Sequence, residues 1–389
     1  MKNNMSPANS KKIGIYIHIP FCVQKCKYCD FCSFPIANEN VKLSYKNALI
    51  KNIKSVSKHF EDREVDSIFF GGGTPTCLNP KELCEILNSV YSNYSVSKDT
   101  EITLECNPAT AAKEDFEIMI KGGFNRLSLG LQSANDMELS SLGRIHTFEE
   151  FKSTYNDARL AGFENINVDL MYGIPKQTEA SFLSTLNRVL ELNPEHISAY
   201  SLKIEPNTEF FKNKENLILP SEDAEYNMYK SADRILTSNG FLHYEISNYS
   251  LEGRKSRHNL KYWSCDEYLG FGVASHSFIN QTRYSNTSSI NEYIDSIEND
   301  KIYYSVEEIL STDELIEEYI MMRLRLCDGL SLKAFEDKFS KKIDNKYISR
   351  MNPFIKSGHI ICTDDKFSLS AEGMYVSNYI LTEILDLGL

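Results

Sequence analysis

From Ile13 onward, short apolar runs alternate with longer stretches whose apolar residues recur at helical spacing. Ile13–Ile19 reads as a strand, and a helix is predicted over 41–58. The strand 67–70 runs into Gly71-Gly72-Gly73-Thr74-Pro75, and helical spacing returns near 80–91. Strands at 101–105, 126–129, 165–170 and 196–201 follow, with helical segments between them, one of them at 113–121. Short strands alternating with longer helices predict βαβ units and a parallel sheet. Six such repeats, each about 30 residues or more, suit a partial (β/α)6 TIM-like barrel.

From about Asp313 the pattern changes. Helices over 315–326, 331–339 and 345–357, a β-hairpin over 359–370 and a closing helix after Ala371 predict a small, mostly α, winged-helix-like domain. The expected organisation is a disordered terminus over 1–12, the barrel over 13–205, an extension over 206–304 and the C-terminal domain over 305–389. That last domain is expected to cover the barrel or to meet a partner.

Composition changes the picture little. With 389 residues, two or three domains are allowed. The 42% hydrophobic and 25% charged residues describe an ordinary globular chain. A net charge of −12 argues against nucleic acid as the main partner, since a phosphate-binding surface needs clustered Lys and Arg. No run approaches the roughly 18 apolar residues of a membrane span, and no apolar segment follows the Lys-Asn-Asn start. Ten cysteines, mostly scattered, fit a reducing compartment, so a cytoplasmic location is expected.

The polar signals sit just past the strand ends, where barrel folds place their chemistry. Cys22, Cys26 and Cys29 follow the first strand. Three thiolates are one short of enclosing a four-iron cluster and leave one iron open. A zinc knuckle would need a second Cys or His pair nearby, and disulfides would need a secreted chain. Gly71, Gly72, Gly73 and Thr74 form either a simple turn or a set of backbone N–H donors for a carboxylate. Glu105 closes the third strand, Gln132 the fourth and Asp169 the fifth; each also has a structural reading as a cap or a satisfied loop residue. Arg144 is a surface residue or a fork donor for a carboxylate.

The Cys-x3-Cys-x2-Cys spacing resembles the radical S-adenosylmethionine (SAM) family, whose open iron chelates SAM. Tyr16-Ile-His18-Ile-Pro-Phe-Cys22, Gly71-Gly-Gly-Thr-Pro, Arg126-Leu-Ser-Leu-Gly-Leu-Gln132-Ser, Leu142-Gly-Arg-Ile-His146, Asn167-Val-Asp169-Leu-Met-Tyr-Gly-Ile-Pro175 and Glu205-Pro-Asn-Thr208 resemble its coproporphyrinogen III oxidase-like branch. The resemblance covers most of residues 13–285. It implies a [4Fe–4S] cluster on Cys22, Cys26 and Cys29. It further implies SAM contacts from Tyr16, Gly71 to Thr74, Glu105, Gln132, Arg144 and Asp169.

That branch holds an oxygen-independent coproporphyrinogen III dehydrogenase and a relative, the HemW-type heme chaperones. The dehydrogenase carries a further cysteine two residues past the third ligand, where this chain has Phe31; Cys32 comes one position later. It also has an N-terminal extension, and an Ala at its second SAM site where this chain has Lys203. Arg257-His258-Asn259-Leu-Lys-Tyr262-Trp263 instead resembles the His-Asn-x-x-Tyr-Trp motif of the heme chaperones. The resemblance implies heme as a ligand, with His258 as the candidate axial group and His276 as a second. Imidazole is a common axial ligand of heme iron, and aromatic rings offer a porphyrin a flat apolar face. His18 is expected to act from behind the cluster loop or in packing. The expected function is heme binding and transfer to an acceptor protein of unspecified identity, with a homodimer as one assembly. The alternative is the radical decarboxylase, so whether the chain is an enzyme stays open at this point.

Overall fold

The computed structural model describes residues 11–35, 38–300 and 304–387. The expected disorder over 1–12 lies outside it as far as residue 10. Lys11 and Lys12 already belong to the first strand, pairing with Arg63 and Glu64.

Six parallel strands form the barrel: β1 Lys11–Ile19, β2 Arg63–Gly72, β3 Ser95–Cys106, β4 Arg126–Gln132, β5 Ile166–Tyr172 and β6 His196–Ser201. They are neighbours in sequence order, as short right-handed βαβ crossovers dictate. The side chains alternate with period two. Ile13, Ile15, Ile17 and Ile19 of β1, Leu127, Leu129 and Leu131 of β4, and Ile166, Val168 and Leu170 of β5 are fully buried in the main core. Each such side chain contributes about 1.5–3 kcal/mol when removed from water.

The opposite face carries Tyr16, His18, Thr103, Glu105, Arg126, Ser128, Asn167, Asp169, His196 and Ser198. A packed TIM-type barrel fills this face with branched aliphatic residues. Here it is polar, which prepares a chamber for a polar ligand.

The covering helices start with local signals. Asn79 caps Pro80–Asn93 reciprocally with Glu82, and Thr147 caps Phe148–Ala161 with Glu150. Asn38 caps Glu39–Ser57.

Strands from the region after residue 206 join the same sheet. Tyr268–Phe271 pairs in parallel with β1, and His276–Ile279, Thr282–Ser285 and Ser305–Ile309 continue the sheet antiparallel. Asn248–Ser250 and Leu242–Glu245 extend the other edge beyond β6, giving a sheet of twelve strands. The C-terminal unit has the expected helices, at Thr312–Leu324, Leu332–Phe339 and Asn345–Lys356. The hairpin Ile360–Cys362/Lys366–Leu369 gains a third strand, Leu330–Ser331, and the closing helix is two, Ala371–Tyr375 and Ser377–Leu385. Among the described residues no helix is long and apolar enough to cross a membrane.

Candidate functional site

The cysteine loop leaves β1 and is tied at several points. His18 Nε2–H donates to the Cys32 carbonyl at 2.8 Å, so its Nδ1 accepts from the Tyr16 hydroxyl at 3.0 Å. Burial lowers the His18 pKa and keeps the ring neutral, as this arrangement requires. The Lys27 N–H donates to the Leu142 carbonyl and Gln24 to the Gly143 carbonyl, while the Lys27 carbonyl accepts from the Phe210 N–H at 2.9 Å. The Glu205–Thr208 motif therefore leads into a short helix whose start holds the loop.

The glycine turn lies against the same loop. Gly73 N–H donates to the Ile19 carbonyl at 2.8 Å and Thr74 N–H to the Phe21 carbonyl at 2.7 Å. A methyl group at Gly73 would come within 3.0 Å of the Cys22 sulfur and 2.7 Å of the Phe21 carbonyl. Gly72 has φ +110°, and its missing side chain makes room for the His18 ring. The turn is a close approach that only glycine permits.

Cys22, Cys26, Cys29, Gly72, Gly73, Thr74, Glu105, Gln132, Arg144 and Asp169 all line one cavity of about 120 Å³ at the C-terminal end of the barrel. Sequence reasoning named each of them. Three of its candidates stand elsewhere. Tyr16 is one step back and reaches the loop through His18. Gly71 lies under the cavity, where a Cβ would meet Glu105 Oε2 at 3.0 Å.

His258 is the third, and its expected role as a heme ligand does not fit its surroundings. Its side chain is 1% exposed, with Nδ1 bonded to Ser67 Oγ at 3.0 Å and Nε2 to Tyr262 Oη at 3.0 Å. The ring packs on Phe69, 5.3 Å between centroids. Both nitrogens are occupied, leaving no lone pair for iron. His276 is half exposed on a sheet strand, paired with Glu307.

The donor set fits an iron–sulfur cluster. Among the described residues no three His, Cys, Asp or Glu side chains converge tightly enough for a single ion. One tetrahedral zinc would need thiolates roughly 3.8 Å apart, whereas a cluster spreads its ligands over several irons. Burial raises the Cys22 and Cys29 thiols, so loading the site requires a metal to displace their protons. Cys32 points away, its thiol donating to the Ser288 carbonyl.

Beyond the thiols two carboxyl groups line the cavity. Burial, and then the nearby Asp169 carboxylate, push the Glu105 carboxyl up to about 8, although Gly72 N–H donates to it at 3.2 Å. Burial raises Asp169 too, even though Asn167 donates to it at 2.7 Å and Ser128 at 3.3 Å. Arg126 is 2% exposed, and its Nε has no partner among the described residues. Two partly buried carboxyl groups near one guanidinium, with their ionisation suppressed, suit a ligand whose positive charge would draw them into the ionised state. The ammonium and sulfonium of SAM meet that requirement.

Arg144 lies beside the cluster loop. Its guanidinium donates to the Cys26 sulfur, to Asn107 Oδ1 at 2.8 Å and to the Gly130 carbonyl. Gln132 has φ +72° at a bulge of β4, an unusual conformation for a side chain of this kind. Its amide oxygen accepts from the Tyr200 hydroxyl at 2.6 Å.

Sequence reasoning missed Asn107 and Tyr200 as site residues. Asn107 bridges Thr74 and Arg144, and its position two residues after Glu105 at a strand end was a usable signal. Tyr200, at the end of β6, carried none beyond its strand.

Residues 16–189 match the family model described as Radical SAM superfamily, and residues 310–376 the one described as HemN C-terminal domain. The chain is 35% identical to "Heme chaperone HemW" of Bacillus subtilis (strain 168), covering 95% of this chain and 98% of that one. It is 33% identical to the protein of the same name in Haemophilus influenzae, covering 95% and 97%. The solved structure of coproporphyrinogen III oxidase (HemN) from Escherichia coli superposes with a TM-score of 0.85 over 96% of this chain and 90% of that one. At 24% identity it shows the shared fold alone.

Proposed function

The chain belongs to the HemW heme chaperone family, and from that premise we propose that it binds heme and passes it to an acceptor protein while carrying a [4Fe–4S] cluster and SAM. Near-full-length similarity to heme chaperones is the observation that carries this reading.

In it, Cys22, Cys26 and Cys29 would hold the cluster, leaving one iron open. Thr74 hydrogen-bonds the Cys22 sulfur and Arg144 the Cys26 sulfur, so both stabilise thiolate charge. Gly72 and Gly73 offer close backbone contact, while Glu105 and Asp169 supply the negative field for a cationic ligand. Gln132, braced by Tyr200, is positioned for hydrogen bonding to a polar ligand group. A cluster and SAM bound there would supply one-electron chemistry at a sulfonium.

The dehydrogenase reading is weaker because Phe31 stands where that enzyme is expected to have a further cysteine. Phe31 is 68% exposed at the cavity mouth and offers no ligand. The test pairs two assays on anaerobically reconstituted protein. With SAM, reductant and coproporphyrinogen III, no multiple-turnover decarboxylation is expected. Preloaded with hemin and mixed with apomyoglobin, the protein is expected to give up its heme. Sustained turnover without heme release would replace this reading with the enzymatic one.

A further inference from the structure

One layer below Asp169, the polar face of the barrel sheet carries a row of buried side chains. Ser128 of β4, Asn167 of β5 and His196 of β6 are cross-strand neighbours in that row. A packed TIM-type barrel has branched aliphatic side chains in such a layer. Neither Asn167 nor His196 lines the cluster cavity. We infer that His196 is a positioning residue for the SAM chamber: through Asn167 it fixes the carboxyl group of Asp169, and it ties that group to the helix Arg257–Trp263. The inference rests on the SAM-binding reading above and adds a residue that acts from outside the cavity.

The hydrogen bonds of the row have one consistent direction, set from the Asp169 end. An ionised carboxylate only accepts, so Asn167 must turn its amide N–H towards Asp169 Oδ1, at 2.7 Å. The Asn167 carbonyl oxygen then faces His196 Nδ1 at 2.6 Å, and that nitrogen must carry the proton. Nε2 is left as the acceptor, and the Tyr244 hydroxyl donates to it at 2.7 Å. The Tyr244 oxygen in turn accepts from the Ser256 N–H at 3.3 Å. Ser256 caps the helix Arg257–Trp263, so the chain runs unbroken from that helix to the SAM chamber.

Asn167 grips both oxygens of Asp169. It bonds Oδ1 directly and orients the Ser128 hydroxyl at 2.8 Å, which donates to Oδ2 at 3.3 Å. With the Ser198 hydroxyl donating to its carbonyl oxygen at 3.2 Å, Asn167 makes the four bonds its amide allows. Burial, and then the nearby Arg126 guanidinium, hold the His196 pKa well below its usual value, so the ring stays neutral with a single N–H. Without that N–H the Asn167 amide is free to turn its oxygen towards Asp169. That orientation opposes the ionised carboxylate that a cationic ligand draws on.

The test is equilibrium dialysis of SAM against the full, anaerobically reconstituted protein. His196→Leu is expected to weaken SAM binding at least about tenfold, while iron and sulfide per folded chain stay at the wild-type level. His196→Asn, which keeps an N–H donor near the place of Nδ1, should recover most of that loss. Tyr244→Phe keeps the ring, removes only the hydroxyl that sets the tautomer, and should weaken SAM binding by a smaller factor. In an Asp169→Ala background neither His196→Leu nor Tyr244→Phe should lower the affinity further, because both act through Asp169. Suppose Asp169→Ala weakens binding but His196→Leu and Tyr244→Phe bind as wild type does, or their losses add to that of Asp169→Ala. The positioning role is then wrong and the SAM site stands. If Asp169→Ala itself binds SAM as wild type does, both fail.

Discussion

At Glu105, burial and the neighbouring Asp169 carboxylate hold the carboxyl at about 8, well above the carboxylate range of an unfolded chain. A carboxyl raised on folding adds stability at low pH, and that contribution is lost as pH rises through its folded value. In metal-free protein, Glu105→Gln should therefore leave thermal stability almost unchanged at pH 5 and raise it by on the order of 3 kcal/mol at pH 8.5. The same substitution should weaken SAM binding to the reconstituted protein at least about tenfold, because a counter-charge is lost. Equal stabilisation at both pH values, or unchanged SAM affinity, would mean that Glu105 is not the electrostatic partner. Cys22→Ser should lose most of the iron and sulfide on reconstitution, while Cys32→Ser should retain them; equal loss would overturn the ligand assignment. The three cysteines were legible because their spacing is local. Tyr200 was not, because its role arises only when β6 is placed beside β4 and β5.

At the scale of elements, the helix Arg257–Trp263 shows how a motif can be visible while its role is not. Glu101 of β3 accepts from the backbone N–H groups of Arg257 and His258, each at 3.1 Å, capping the helix from the sheet. Lys261 pairs with Asp66 at 2.7 Å, and Gly14 has no side chain to obstruct His258 and Lys261. The helix is a structural plug of the barrel. His258→Ala should therefore cost about 2–4 kcal/mol in urea unfolding, from a lost buried ring and two unsatisfied hydroxyls. Its iron content per folded chain should stay at the wild-type level. Wild-type stability in this variant would contradict the plug. The available signal was the (i, i+4) spacing of His258 and Tyr262, which on a helix brings the two side chains together.

For the whole molecule, the six barrel strands and their order followed from βαβ alternation, since short crossovers leave little topological choice. The six flanking strands of the large sheet escaped notice because they have only three to five residues each, and Tyr268–Phe271 pairs with a strand more than 200 residues earlier in the chain. That long-range pairing ties the motif segment to the cluster-bearing strand. Residues of the C-terminal region, among them Met374 and Tyr375, share the lining of a larger cavity, of about 860 Å³, with Tyr200 of the last barrel strand. Both chambers thus share one scaffold, with thiols in one and an aromatic-lined space in the other. The most direct test is a Soret-band titration of reconstituted wild-type protein with hemin, read for stoichiometry. Saturation at one hemin per chain is predicted, and a linear, unsaturating response would contradict heme binding.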